Sequence, residues 1–226
     1  MKRIPAVSLF VLMFLCACGE ACADLFAPEN RVDPSNPPAE LTAIGNEIRA
    51  SGPVRAPFVE TRKFPFRKTP TVLSGVNVLM PGECLLTRYD SPEERETLVV
   101  GSSIFEISPE KAPQRLPVPE QYEKLLAIHN MDLASLAEAF DLFFESGTDG
   151  WRLGLERTRS VRRVAGQTSV DATDMRITVN GAGKEMRSMR IQRGSSLDIL
   201  IEMSPPKTPD SDEVLRIEKL ASECAK

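Results

Sequence analysis

Apolar positions change their period along this chain, and each change predicts a different element. Leu41, Ile44 and Ile48 recur at helical spacing between residues 39 and 50, and Ser51-Gly52-Pro53 stops the pattern, so one short amphipathic helix is expected there. After Pro53 the period moves towards two in short segments at 54 to 64, 71 to 80, 84 to 90, 96 to 101 and 103 to 107, bounded by Pro, Gly, Ser or Asp as in an antiparallel meander. From Pro119 to Ala139 helical spacing returns. Leu125, Leu126, Ile128, Leu133, Leu136, Ala137 and Phe140 are interrupted by Asn130-Met131-Asp132, with Asp132 placed to cap the second of two short helices. Strand patterning resumes near 139 to 145, 150 to 158, 174 to 180, 185 to 193 and 196 to 203, with turn signals at Gly147 to Gly150, Gly181 to Gly183 and Gly194-Ser195. About ten strands leave two exposed edges unless the sheet curls. The expected fold is therefore mainly β with α: a strongly curved antiparallel sheet or incomplete β-barrel, with helices covering its open mouth.

The ends read differently from this body. Lys2 and Arg3 precede an apolar run from Ile4 to Ala17, and Ala21-Cys22-Ala23 follows, which predicts a signal peptide over 1 to 23 and a mature chain from Asp24. The run is too short to cross a ~30 Å hydrocarbon core as a permanent helix. A competing cut exists, because Leu15-Cys16-Ala17-Cys18 is similar to a bacterial lipobox, which would leave Cys18 lipidated. Residues 24 to 38, rich in Pro, Asn, Asp and Glu, are expected to form a linker or mobile arm. Residues 204 to 209 form a Pro-rich break, and Val214, Ile217 and Leu220 predict a docked helix within the tail from 204 to 226.

Composition narrows the function. With 42% hydrophobic and 27% charged residues the chain is that of a folded domain, and a net charge of -4 without a dense basic cluster beyond Arg159 to Arg163 speaks against a nucleic-acid partner. His129 is the single histidine, so imidazole-rich metal sites are excluded and a Ser-His-Asp arrangement has one helical candidate, more simply a surface or helix-end residue. No catalytic residue, metal site or cofactor is expected. Glu93-Glu94 and Asp171 with Asp174 are carboxylate pairs in polar turns, read as solvated charges ahead of a glycosidase pair, and Gly181-Ala182-Gly183 as a hairpin turn. Of five cysteines, Cys84 and Cys224 lie outside the signal region. They pair in an oxidising compartment, or Cys84 is a buried thiol and Cys224 a free one.

The segment Pro57-Phe58-Val59-Glu60-Thr61-Arg62, then Pro70, Ser74-Gly75 and Val76 to Pro81, resembles the opening of LolA-type outer-membrane lipoprotein carriers. Gly150-Trp151-Arg152-Leu153-Gly154-Leu155 resembles the family's Trp-led strand, and Met175 to Met203 its closing hairpins. The resemblance implies a carrier domain over 39 to 203 with an apolar cavity under a helical lid. It also implies a monomer in the periplasm that takes lipoprotein acyl chains or other envelope lipids from inner-membrane export machinery to an outer-membrane acceptor. The alternative is a LolB-like receptor or envelope interaction protein anchored at Cys18. Expected cavity residues are Phe58, Val76, Val78, Met80, Leu85, Ile177, Val179, Ile199, Ile201 and Met203, with Leu125, Ile128, Leu133 and Leu136 on the lid. They depend on strand parity, since a one-residue slip reverses every side chain, and ordinary core packing is the competing account. Trp151 is expected to anchor the core. One departure concerns gating: family carriers have a latching Arg before the Pro that ends the early strand, where this chain has Met80 before Pro81. Another cation such as Arg62, Lys63 or Arg88 replaces it, or the cargo differs, with glycolipids among the candidates.

Overall fold

A computed structural model describes residues 24–92, 94–118, 124–157, 160–164, 167–171 and 175–225 of the chain. The signal segment with Cys18, together with Glu93, Arg159 and Asp174, lies outside these residues. A first helix, α1 (Ala39–Ala50), leads into a meander of β1 (Val54–Lys63), β2 (Thr71–Met80), β3 (Cys84–Ser91), β4 (Arg95–Val100), β5 (Ser103–Ser108) and β6 (Lys111–Leu116). Two five-residue helices follow, α2 (Leu125–His129) and α3 (Leu133–Ala137), then β7 (Asp141–Gly147), β8 (Gly150–Glu156), β9 (Ser160–Val164) and β10 (Gln167–Asp171). The chain closes with β11 (Met175–Ala182), β12 (Glu185–Arg193), β13 (Leu197–Met203) and α4 (Ser211–Cys224).

Eleven strands form one open antiparallel sheet in the order β6-β5-β4-β3-β2-β1-β13-β12-β11-β8-β7, with β9 and β10 paired separately. The first and last halves of the chain meet where β1 pairs with β13, Phe58 opposite Met203 and Glu60 opposite Ile201. The edges stay unpaired with each other and are managed differently. β6 carries Pro113 between Lys111 and Arg115, a proline and charges that discourage further pairing. β7 is covered by the segment expected to be a mobile arm: Val32 donates its N–H to the Leu142 carbonyl at 2.8 Å, Arg31 bridges Phe143, and Leu25 and Val32 are buried. Two apolar side chains with an edge strand to cover are enough to fix a segment whose composition is otherwise that of a linker.

The helices divide between the two faces. Against the concave face, α1 packs Leu41, Ile44 and Ile48, while Ile128 of α2 and Leu136 of α3 join the same core as Leu153, Leu155, Ile177, Val179, Met189, Ile191, Ile199 and Ile201. On the convex face of β2 to β5, α4 inserts Ile217 among Val76, Val78, Met80, Cys84, Leu86 and Leu98. Asp210 caps α4 by accepting the Glu213 N–H at 2.7 Å, and Arg216 pairs with Glu96 on β4. Trp151 is buried, donating its indole N–H to the Gly183 carbonyl at 2.8 Å, so it ties β8 to the β11–β12 turn.

Candidate ligand-binding face under a helical lid

α2 and α3 lie in the connection between the two edge strands β6 and β7, α2 beside β4 and α3 beside β7. Each is a little over one turn, shorter than any helix stable alone in water, and is held by what it buries. Asp132 caps α3, accepting the Ser135 N–H at 3.2 Å. Between them Met131 adopts φ +49° with its side chain fully buried, a backbone conformation that costs a non-glycine residue of order 1 kcal/mol or more.

Three polar contacts pin this lid. Arg49, at the end of α1, donates from Nη1 to the carbonyls of Asn130 at 3.3 Å and Met131 at 3.1 Å. Asn130 accepts the Gly82 N–H of the β2–β3 turn at 3.1 Å through Oδ1. Lys124 reaches Ser135 and, at 2.9 Å, Glu138, clasping α2 to α3. An open groove of about 750 Å³ runs between α1 and the lid, floored by Leu41, Gly45, Leu126 and Met131. Its lining takes Leu41, Met131 and Leu133 from the edge of the main core and none of the concave strand residues, which are covered by Ile128, Leu136 and α1.

The sequence-derived cavity set is brought together only in part. Phe58, Ile177, Val179, Ile199, Ile201 and Met203 share the concave face, and Leu85 meets Leu125 and Leu126 on its neighbouring stretch. Ile128, Leu133 and Leu136 lie on the lid side that packs against the same core. Val76, Val78 and Met80 are not with them: they face α4 on the other side of the sheet, so the parity expected for β2 is corrected by one residue. Leu73, Gly75 and Leu79 are on the concave side of β2, and at Gly75, opposite Phe58, a β-carbon would stand 2.1 Å from the Arg88 carbonyl and 2.9 Å from the Phe58 ring. Leu153, Leu155, Met189 and Ile191 extend the face from strands whose alternation was legible but whose residues were not among those expected.

Towards the β1–β2 turn the face becomes polar. Glu60 is buried between Arg62, which pairs with it, and Tyr89, whose hydroxyl donates to Oε2 at 2.8 Å, while the Tyr89 ring meets Phe58 edge-on at 5.4 Å. On the other side of the Phe58–Gly75 pair, away from that turn, Thr87 donates to Asn77 at 2.8 Å. Of the cations proposed to replace a latch, Arg62 pairs with Glu60 and Arg88 with Asp90; the cation bonded to the lid loop is Arg49, which contributes no sequence signal because its partners lie 81 and 82 residues away.

His129 ends α2 buried, its Nδ1 3.0 Å from the Leu125 carbonyl and its Nε2 without a partner among the described residues. Burial holds the imidazole pKa below its ordinary value of about 6.5. A lowered folded-state pKa means that the unfolded chain binds the proton first, so stability is complete above about pH 6.5 and falls as the pH drops below it. We expect thermal denaturation between pH 7 and 5 to show an acid-side loss of at most about 1.4 kcal/mol per pH unit from this group, absent in His129→Leu.

Cys84 and Cys224 meet in the cluster under α4 as free thiols. Burial first, then the charge of Glu83, pushes the Cys84 thiol up to about 12. Alkylation of the reduced protein at pH 8 followed by peptide mass analysis is expected to label Cys224 while Cys84 reacts only on unfolding.

No family model and no curated protein matches this chain. Solved structures with a similar course include a LolA superfamily protein from Nitrosomonas europaea, 13% identical over 77% of this chain and 94% of that one, with a TM-score of 0.45. A domain ascribed to an outer membrane lipoprotein-sorting protein from Vibrio parahaemolyticus is 12% identical over 80% and 97%, with a TM-score of 0.48. A DUF1329 family protein from Desulfovibrio piger is 12% identical over 76% and 93%, with a TM-score of 0.44.

Proposed function

We propose that this protein is a non-enzymatic periplasmic carrier that receives acyl chains of a lipoprotein or a related envelope lipid on its concave face when the lid is displaced. The observation that carries the reading is the kind of cover the face has: an apolar surface drawn from both halves of an open sheet, covered partly by α1 and partly by two one-turn helices that a handful of polar contacts hold in place. Magnitudes permit the exchange. Exposing Leu126, Ile128, Met131 and Leu136 costs about 1.5–3 kcal/mol for each side chain. An acyl chain of about 14 carbons returns about 0.8 kcal/mol per buried CH₂, roughly 11 kcal/mol in all. The scaffold need not unfold, because the sheet and α4 form their own contacts without the lid.

Delivery from inner-membrane machinery to an outer-membrane acceptor is part of this reading and rests on the family resemblance. The test is uptake of an apolar fluorophore by delipidated protein, compared for bulky changes on opposite faces. Ile201→Phe, on the concave side, is expected to reduce uptake, whereas Val78→Phe, under α4, leaves uptake of the folded protein unchanged. Delipidated wild-type protein that takes up no probe, with lipid extraction also yielding nothing from the purified protein, sinks the carrier reading. A membrane-anchored receptor is the second reading, favoured by Leu15-Cys16-Ala17-Cys18, and incorporation of labelled palmitate at Cys18 would select it.

A further inference from the structure

The β1–β2 turn presents an exposed aromatic and basic tip, in which Arg67 also donates from Nη1 to Thr71 Oγ1 at 3.3 Å. Arg67 donates its N–H to the Phe64 carbonyl at 3.1 Å, closing a turn with Pro65 and Phe66 at its centre. The Phe64 and Phe66 rings stack at 5.4 Å, and the Arg67 guanidinium lies over both, 5.7 and 6.0 Å from their centroids. Phe66 is nevertheless 78% exposed. Val59 and Val72, on the convex side of the same hairpin, are exposed as well, so three of the four large apolar side chains exposed among the described residues lie on one hairpin. Isolated exposed apolar residues are ordinary; this concentration on a protruding turn is not.

Charge at the tip has the opposite sign to the whole chain. From Thr61 to Gly82 the sequence has no carboxylate but four cations, Arg62, Lys63, Arg67 and Lys68, in a protein of net charge -4. Arg62 is bound to Glu60 and Lys63 lies opposite Asp198, while Arg67 and Lys68 are exposed and form no ion pair among the described residues. Aromatic rings flanked by cations fit the boundary of an anionic bilayer, where rings enter the headgroup region and cations meet lipid phosphates, and the acidic body would be repelled and held outward.

We propose that the β1–β2 tip docks this protein onto an anionic lipid bilayer through Phe64 and Phe66, with Arg67 and Lys68 facing the lipid phosphates. β1 carries Phe58, Glu60 and Arg62 from the concave face directly to this tip, so docking brings the polar end of that face towards the membrane. This inference stands without the carrier reading, since surface binding needs no cavity.

The test is cosedimentation of purified Cys18→Ser protein, which excludes an attached acyl chain, with vesicles of phosphatidylglycerol and phosphatidylethanolamine or of phosphatidylcholine alone. Binding is expected on the anionic vesicles and not on the neutral ones, with loss at about 0.5 M salt. Arg67→Gln with Lys68→Gln should weaken it roughly twenty-fold or more, and Phe64→Ser with Phe66→Ser about tenfold. Leu215→Ser, which removes an exposed apolar side chain from α4, should change nothing. Circular dichroism verifies folding of each variant, and their fluorophore uptake is expected to match the parent, which separates docking at the tip from binding on the concave face. Absence of binding to anionic vesicles, binding unchanged by both double substitutions, or hairpin-dependent binding to native membranes that protease treatment removes, the mark of a protein partner, would each overturn the proposal.

Discussion

Gly181→Val is expected to abolish folding, and the sole tryptophan reports it. A β-carbon at Gly181 would stand 2.2 Å from Cζ2 of Trp151 and 2.5 Å from the Glu185 carbonyl, distances at which something must move. Neither neighbour has room. Trp151 is buried in the main core with its N–H committed to Gly183, and Glu185 opens β12 opposite Ala182, fixed between the turn and the register shift that skips Arg187. Expelling the indole exposes a large aromatic, a loss of about 3–5 kcal/mol comparable to truncating it to alanine, and the added branched side chain brings strain of about 1–3 kcal/mol. Together these approach the 5–15 kcal/mol that keeps a typical domain folded. The measurement is Trp151 emission during urea titration: the wild type should show a cooperative red shift, and the variant should emit at the unfolded wavelength without denaturant. Gly181→Ala serves as the milder step, with a transition retained at lower urea.

The same hairpin illustrates what could be read beforehand. The turn signals at Gly181 to Gly183 and Gly194-Ser195, with Met189 and Ile191 alternating with Arg190 and Gln192 between them, place β11, β12 and β13 within a residue or two. There one face is buried under the lid and the other carries Arg190 paired with Asp198 and Arg176 paired with Glu156, so the pleat is written in the sequence. β2 lacks that signal. It is apolar on both sides, Leu73 and Leu79 on the concave face and Val76, Val78 and Met80 towards α4, and the register shift at Ser74/Gly75 skips Asp90 of β3 without changing the alternation of β2 itself. A strand buried on two faces cannot declare its parity, and the error in the expected cavity wall is confined to it. β6 is absent from the expected strands because an edge strand with Pro113, Lys111 and Arg115 looks like a loop. Contacts such as Arg49 to Met131 join side chain and backbone across 82 residues and leave no local pattern at all.

Arg49→Ala should accelerate loading. The side chain donates from Nη1 to two carbonyls of the α2–α3 loop, while its Nη2 is anchored to Asn46 Oδ1 at 2.8 Å within α1, so that bond pair is its link to the lid. A hydrogen bond from a charged donor contributes about 1.5–3 kcal/mol, so its loss shifts the closed-to-open equilibrium roughly 10- to 100-fold towards open. The buried φ +49° at Met131 works in the same direction, since the closed loop alone must maintain it. Uptake of an apolar fluorophore, followed by stopped flow, is expected to quicken by a similar factor while the thermal midpoint falls by only a few degrees. Ile201→Phe at the concave face should move amplitude, not rate, because it occupies the destination and leaves the latch alone. A double variant tests the separation: fast uptake with diminished amplitude follows if the cover and the wall act independently. Should Arg49→Ala leave the rate unchanged, the loop contacts do not gate entry, and ligand would have to enter elsewhere along the sheet.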